Sequence, residues 1–153
     1  MKTIYLLLFL ILNISCVPKE SIKHIYILPE NFQGVVVIFY DQKDGENIEY
    51  TKDGNIIFKI GANGILKTKM EFTPTDAKNN EFWYPEKKLI PYRQDVGLLN
   101  DSISAGGLHY GKLYKELNGT PVLFEMTYIS NKQNIDSLAN AGESMNLLSL
   151  LHL

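Results

Sequence analysis

The 153-residue chain has one cysteine, one tryptophan and three histidines, and each scarcity removes a class of protein. The single cysteine, Cys16, excludes a disulfide scaffold and a cysteine-based zinc ribbon. His24, His109 and His152 are scattered, without the spacing that brings ligands onto one ion, so no metal and no cofactor are expected. A basic run is missing too: 15 Lys and Arg stand against 17 Asp and Glu, for a net charge of -2. Without a basic stripe to displace phosphate counterions, no nucleic-acid partner is expected. No apolar run reaches the roughly 20 residues that span a bilayer. Apolar residues are nonetheless plentiful, at 45% with 11% aromatic, and the length suits one folded domain.

The amino terminus reads MKTIYLLLFLILNISCVP. Lys2 supplies a positive start, and Ile4 to Leu12 is an unbroken apolar run of nine residues, the length of a signal-peptide core. The segment resembles the signal of bacterial lipoproteins, whose peptidase cuts before a cysteine diacylated on its thiol. Ser15 fits as the small residue before Cys16 and Ile14 is acceptable, whereas Asn13 departs from the aliphatic residue of the pattern. The resemblance implies a signal peptide over 1–15, a lipidated Cys16 and a tether over 16–23 carrying Pro18. Each buried methylene of an acyl chain such as palmitate contributes about 0.8 kcal/mol, so two or three chains hold a protein to a membrane. The expected address is the bacterial cell envelope, with inner or outer membrane unspecified by Val17 and Pro18. The alternative is an ordinary secretory signal that leaves Cys16 a free thiol.

From His24 onward the pattern predicts a mainly β fold: a single antiparallel sandwich-like domain over 24–153, closed by a C-terminal helix over about 134–151. His24–Leu28, Val35–Tyr40, Glu46–Thr51, Ile56–Ile60 and Ile65–Phe72 read as strands, separated by turns at Pro29–Gly34, Asp41–Gly45, Lys52–Asn55 and Gly61–Gly64. Val35–Tyr40 does not alternate, which predicts burial on both faces. Pro85 and Pro91 are expected to break any long element, and Gly97–Gly107 reads as a surface loop. Leu108–Leu117 and Pro121–Ser130 flank Asn118-Gly119 as a hairpin. Ile135, Leu138, Ala141, Met145 and Leu148 fall at a helical period, with Asn134 or Asp136 as N-cap.

The runs Ile25–Gly34, Val36–Tyr40 and Gly61–Thr68 resemble a group of uncharacterised bacterial lipoproteins of Bacteroidetes type. Asp53–Leu66 more distantly resembles the transthyretin-like sandwich modules of carboxypeptidase-regulatory proteins. The motifs of the first resemblance are structural and carry over no catalytic residue, and the second implies a non-catalytic role in binding or spacing.

Chemistry is sparse along the chain. The acidic hairpin Asp41, Asp44, Glu46 and Glu49 puts Lys43 where a calcium loop needs an oxygen ligand, and reads as a solvated tip whose Asp-Gly supplies positive φ. Ser102-Ile103-Ser104 lacks the glycine of a nucleophile elbow, and Gly106–Gly111 lacks phosphate-loop spacing. Glu81, Glu86 and Glu125 are not singled out by spacing. The candidate binding patch is aromatic: Trp83, Tyr84 and Tyr92, residue types that stack on sugars or anchor protein partners when exposed. The competing arrangement puts Phe82 and Tyr84 in the core and Trp83 on the rim. The expected function is a lipid-anchored envelope protein with a non-catalytic binding or structural domain, its partner an envelope protein or glycan. The alternatives are an enzyme acting on envelope polysaccharide or peptide, and a small subunit of an envelope complex that exposes its Leu147–Leu151 face.

Overall fold

A computed structural model describes residues 21–93, 102–116, 119–131 and 133–151. Ten strands form two five-stranded sheets. Strands β1 (His24–Ile27), β3 (Glu49–Tyr50), β4 (Ile56–Lys59), β6 (Asn80–Tyr84) and β7 (Lys88–Ile90) make one, in the order β3-β4-β1-β6-β7. Strands β2 (Gly34–Phe39), β5 (Ile65–Lys67), β8 (Tyr92–Arg93), β9 (Ser104–Leu113) and β10 (Val122–Ser130) make the other, in the order β5-β2-β10-β9-β8. Helices α1 (Ile135–Glu143) and α2 (Leu147–Leu150) follow.

The β sandwich with a helical C-terminus is as the pattern predicts, but its sheets are mixed rather than antiparallel. β1 is flanked by β4 and β6, both parallel to it, and β5 and β8 run parallel to β2 and β9. The cause is connectivity. After β1 the chain turns at Pro29–Gln33 and crosses to the second sheet as β2, then returns through β3 to β4, so β4 reaches the side of β1 by a crossover instead of a hairpin. The β2–β10–β9 core of the second sheet is antiparallel, with the β9–β10 hairpin in its expected place.

Three further differences have local causes. Glu46–Thr51 and Ile65–Phe72 shrink to β3 and β5, because past Lys67 the two segments share only the bridge Glu46–Thr68. The positive φ of the acidic hairpin falls on Asp41, at 55°, not on Gly45. Ser104–Gly107 opens β9 instead of looping: Gly107, at φ 64°, forms a bulge that shifts the register between Met126 and Tyr128. A Cβ at Gly107 would lie 2.6 Å from the Tyr128 ring, so only glycine fits. The expected Asn118 of the β9–β10 turn lies outside the described residues.

Alternation decides which side chains meet between the sheets. Tyr26, Phe58, Phe82, Tyr84 and Ile90 of the first sheet face Val36, Ile38, Ala105 and Ile129 of the second, and all are buried. The other face of β2, Val35, Val37 and Phe39, is buried as well, under Leu138, Met145, Leu147, Leu150 and Leu151. This explains why β2 reads as continuously apolar. The leucine-dense end of the chain therefore covers its own sheet. The single expected helix is broken at Ser144–Asn146, where Asn146 Oδ1 accepts from the Ser149 amide and starts α2 afresh.

Candidate functional site

The central strand of the second sheet sends an acid into the core. On β10, Leu123, Glu125, Thr127 and Ile129 face inward while Phe124, Met126 and Tyr128 face the helical layer. Glu125 is only 2% exposed. Its register neighbours are Ile38 on β2 and Tyr110 on β9. Two hydroxyls reach it: Tyr26 donates to Oε1 at 2.5 Å, and Tyr40 donates to Oε2 at 2.9 Å. The surrounding wall is aromatic. Tyr26 stacks on Phe82 at 4.4 Å and Phe58 lies 5.2 Å away, while Phe72 bridges Tyr40 at 5.1 Å and Tyr110 at 5.3 Å.

Burial and hydrogen bonding pull the Glu125 carboxyl in opposite directions. Burial disfavours the charged form and outweighs the two hydroxyl donors, so its pKa rises from 4.5 to about 7. The same burial, reinforced by the charge of Glu125, holds the Tyr26 and Tyr40 hydroxyls well above their ordinary range. Tyr110 is pushed up to about 12, by burial first and Glu125 second, and it donates to the Thr75 carbonyl at 3.2 Å. A carboxyl that titrates near neutrality can hold or release a proton, which is the property of a general acid or base. Two open clefts, of about 440 and 390 Å³, flank the start of β1, and Glu125 lines neither.

One row above Tyr26 the core contains two more polar side chains, His24 on β1 and its register partner Asn80 on β6. His24 is 1% exposed, packs edge-on against Phe58 at 5.2 Å, and lines the 390 Å³ cleft. Among the described residues its Nδ1 has no hydrogen-bond partner, and the Asn80 amide lies by the Tyr110 hydroxyl. Burial lowers the His24 pKa to about 4, so the ring is neutral.

The three aromatics singled out from sequence do not share a surface. Tyr84 is buried on the inner face of β6 and donates to the Phe32 carbonyl at 2.8 Å. Tyr92 is half-buried and stacks on Phe82 at 6.2 Å. Trp83 points to the opposite face of β6, half-buried, where it donates to Glu81 Oε2 at 3.2 Å and pairs across the strands with exposed Leu89. Cys16 and His152 lie outside the described residues. His109 lies on the helix-side face of β9 against Tyr128, and the acidic hairpin is exposed. Among the described residues no three His, Cys, Asp or Glu side chains are grouped to hold a metal.

Sequence reasoning missed the Glu125 cluster. The available signal was an acid inside a nine-residue strand with apolar or aromatic residues on both sides, which alternation turns inward.

A family model matches residues 20–106, more than half of the chain, and its description is a family of unknown function (DUF6843). The chain belongs to this family. The matched span holds β1 to the start of β9, with His24, Tyr26, Tyr40, Asn80 and the three sequence-selected aromatics inside it and Glu125 beyond it. A search of the curated proteins finds no match. Among solved structures the fold is similar to a 2.75 Å crystal structure of a candidate lipoprotein from Bacillus anthracis, at 16% identity and a TM-score of 0.51, covering 72% of this chain and 71% of that one. At that identity the likeness is one of fold.

Proposed function

We propose that this member of the family is a lipid-anchored protein of the bacterial cell envelope whose sandwich is a non-catalytic binding and structural domain. The observation that carries the reading is Cys16, the sole cysteine of the chain, placed directly after Ile4–Leu12 and Asn13-Ile14-Ser15. A tether of a few residues then precedes β1 at His24, so a domain begins as soon as the chain leaves the membrane surface. The fold shared with a candidate lipoprotein supports the same reading. Binding is favoured over catalysis because, among the described residues, the one buried acid with a near-neutral pKa lines neither cleft beside β1. A role as a subunit that docks its C-terminal helix on a partner is disfavoured, since Leu147, Leu150 and Leu151 are spent on the second sheet. Growth with labelled palmitate tests the anchor. The full chain should incorporate label and fractionate with membranes, and Cys16→Ala should abolish both. Retained label in the variant refutes the reading.

A further inference from the structure

We propose that the outer face of the first sheet lies on the bilayer that holds the lipid anchor, with Trp83 and Leu89 entering the boundary between headgroups and acyl chains. This contact rests on the lipidated Cys16 of the proposed function, and it assigns which side of the domain meets the membrane.

The two outer faces of the sandwich differ. On the second sheet the outward side chains Val37 and Phe39 are buried beneath the helices. On the first sheet Ile25 and Ile27 of β1, Ile57 of β4, Trp83 of β6 and Leu89 of β7 point outward, because their strand neighbours Tyr26, Phe58, Phe82 and Ile90 turn into the core. Among the described residues none of the five packs into either buried cluster: four are half-buried, and Leu89 is 52% exposed. Register sets them side by side. Ile57 and Ile25 are partners in one row, and Ile27, Trp83 and Leu89 in the next, so they form one apolar patch across four strands.

The charges beside the patch are engaged with one another. Lys59 pairs with Glu49, while the Glu81 carboxylate accepts from Lys23 Nζ at 2.8 Å on one oxygen and from Trp83 Nε1 at 3.2 Å on the other. Such pairing lowers the cost of bringing the face to a lipid surface. Tryptophan, an apolar ring with one polar N–H, is a side chain that bilayer interfaces favour.

Size and attachment select the occupant. Four strands about 4.8 Å apart and two rows of side chains about 7 Å apart give roughly 250 Å². A stable protein interface takes about 800 Å² from each partner, so this patch alone is too small to hold a second copy or another protein. A bilayer already gripped by acyl chains needs no such area, since the anchor keeps the face at high effective concentration beside it. Cys16 stands eight positions before His24, at most about 29 Å of extended chain, and His24 opens the middle strand of this sheet. Leu89, the far corner of the patch, lies two strands across and three residues along from His24, a distance of about 14 Å. The tether is thus long enough to let the face lie flat and short enough to keep it beside the membrane.

The test uses Trp83, the only tryptophan of the chain, as its own probe of depth. The full chain is purified from membranes, its acyl chains are checked by mass spectrometry, and it is placed in phosphatidylcholine–phosphatidylglycerol vesicles with and without bromine on the lipid chains. Brominated lipid should quench Trp83 emission by at least half. Leu89→Glu, at an exposed position that leaves the core unchanged, should weaken the quenching at least twofold. Tyr50→Ser, equally exposed but paired in register with inward-facing Ile56, should leave it unaltered. A lipidated protein whose Trp83 escapes quenching overturns this contact and leaves the anchor standing. Quenching that survives Leu89→Glu, or that Tyr50→Ser weakens as much, overturns it too. A protein found without acyl chains refutes the anchor and the contact together.

Discussion

Replacing Glu125 with glutamine isolates the energetic consequence of a carboxyl sealed between two sheets. The folded pKa is about 7 against an ordinary 4.5. Between those values the native state keeps a proton that the unfolded chain has released, so stability falls as pH rises through the window. The favourable contribution is complete below pH ~4.5 and gone above pH ~7. A shift of this size corresponds to roughly 3 kcal/mol. In Glu125→Gln the new side chain has no charge to desolvate, while its carbonyl accepts from one tyrosine hydroxyl and its amide donates to the oxygen of the other.

The variant should therefore lie within about 1 kcal/mol of wild type at pH ~4.5 and exceed it by about 2 kcal/mol at pH ~8. Urea denaturation followed by tryptophan fluorescence measures this, because Trp83 is the only tryptophan and sits half-buried on β6. Every other titrating group is common to both proteins, so the difference between the two pH profiles reports Glu125 alone. Parallel profiles would refute the reasoning. So would a variant destabilised by about 3 kcal/mol at every pH, which would mean that the carboxylate is ionised and net stabilising in the core.

Two further outcomes test the packing account. Gly64 has φ 78°, and a Cβ there would lie 2.3 Å from the Val35 carbonyl oxygen, so Gly64→Ala should lower the urea midpoint by the equivalent of about 2 kcal/mol or more. Lys59 and Glu49 pair across β3 and β4 with side chains 60% and 57% exposed. Lys59→Ala should shift the midpoint by less than about 1 kcal/mol, and that shift should vanish in high salt.

What the sequence could disclose depended on how far apart the interacting residues lie. β2 was legible because six consecutive apolar residues need two covers, and the structure supplies both, the first sheet and the helices. The split of Phe82 and Tyr84 from Trp83 follows from strand alternation alone, as one of the two arrangements weighed for that segment. Strand partnership was not legible, since no local pattern tells β1 that both its neighbours run parallel to it. The prolines act as the breakers they read as: β6 stops at Tyr84 before Pro85 and β7 at Ile90 before Pro91, and the turn between them is closed by Lys87 in a left-handed conformation, with its amide donating to the Tyr84 carbonyl at 3.1 Å.

The glycine-rich start of β9 did mislead, because a loop-like composition there serves a bulge over Tyr128. The interior site was the least accessible. Glu125 meets Tyr26 across 99 positions and Tyr40 across 85, and His24 meets Asn80 through register on a parallel pair. Each of these residues taken alone is an ordinary strand residue. Only the crossing of β1 and β2 into different sheets turns two tyrosines toward one carboxyl, and the same crossing leaves an imidazole beneath an open cleft. The polar chemistry of this sandwich is thus a product of its mixed topology, which an antiparallel meander with the same strands would not create.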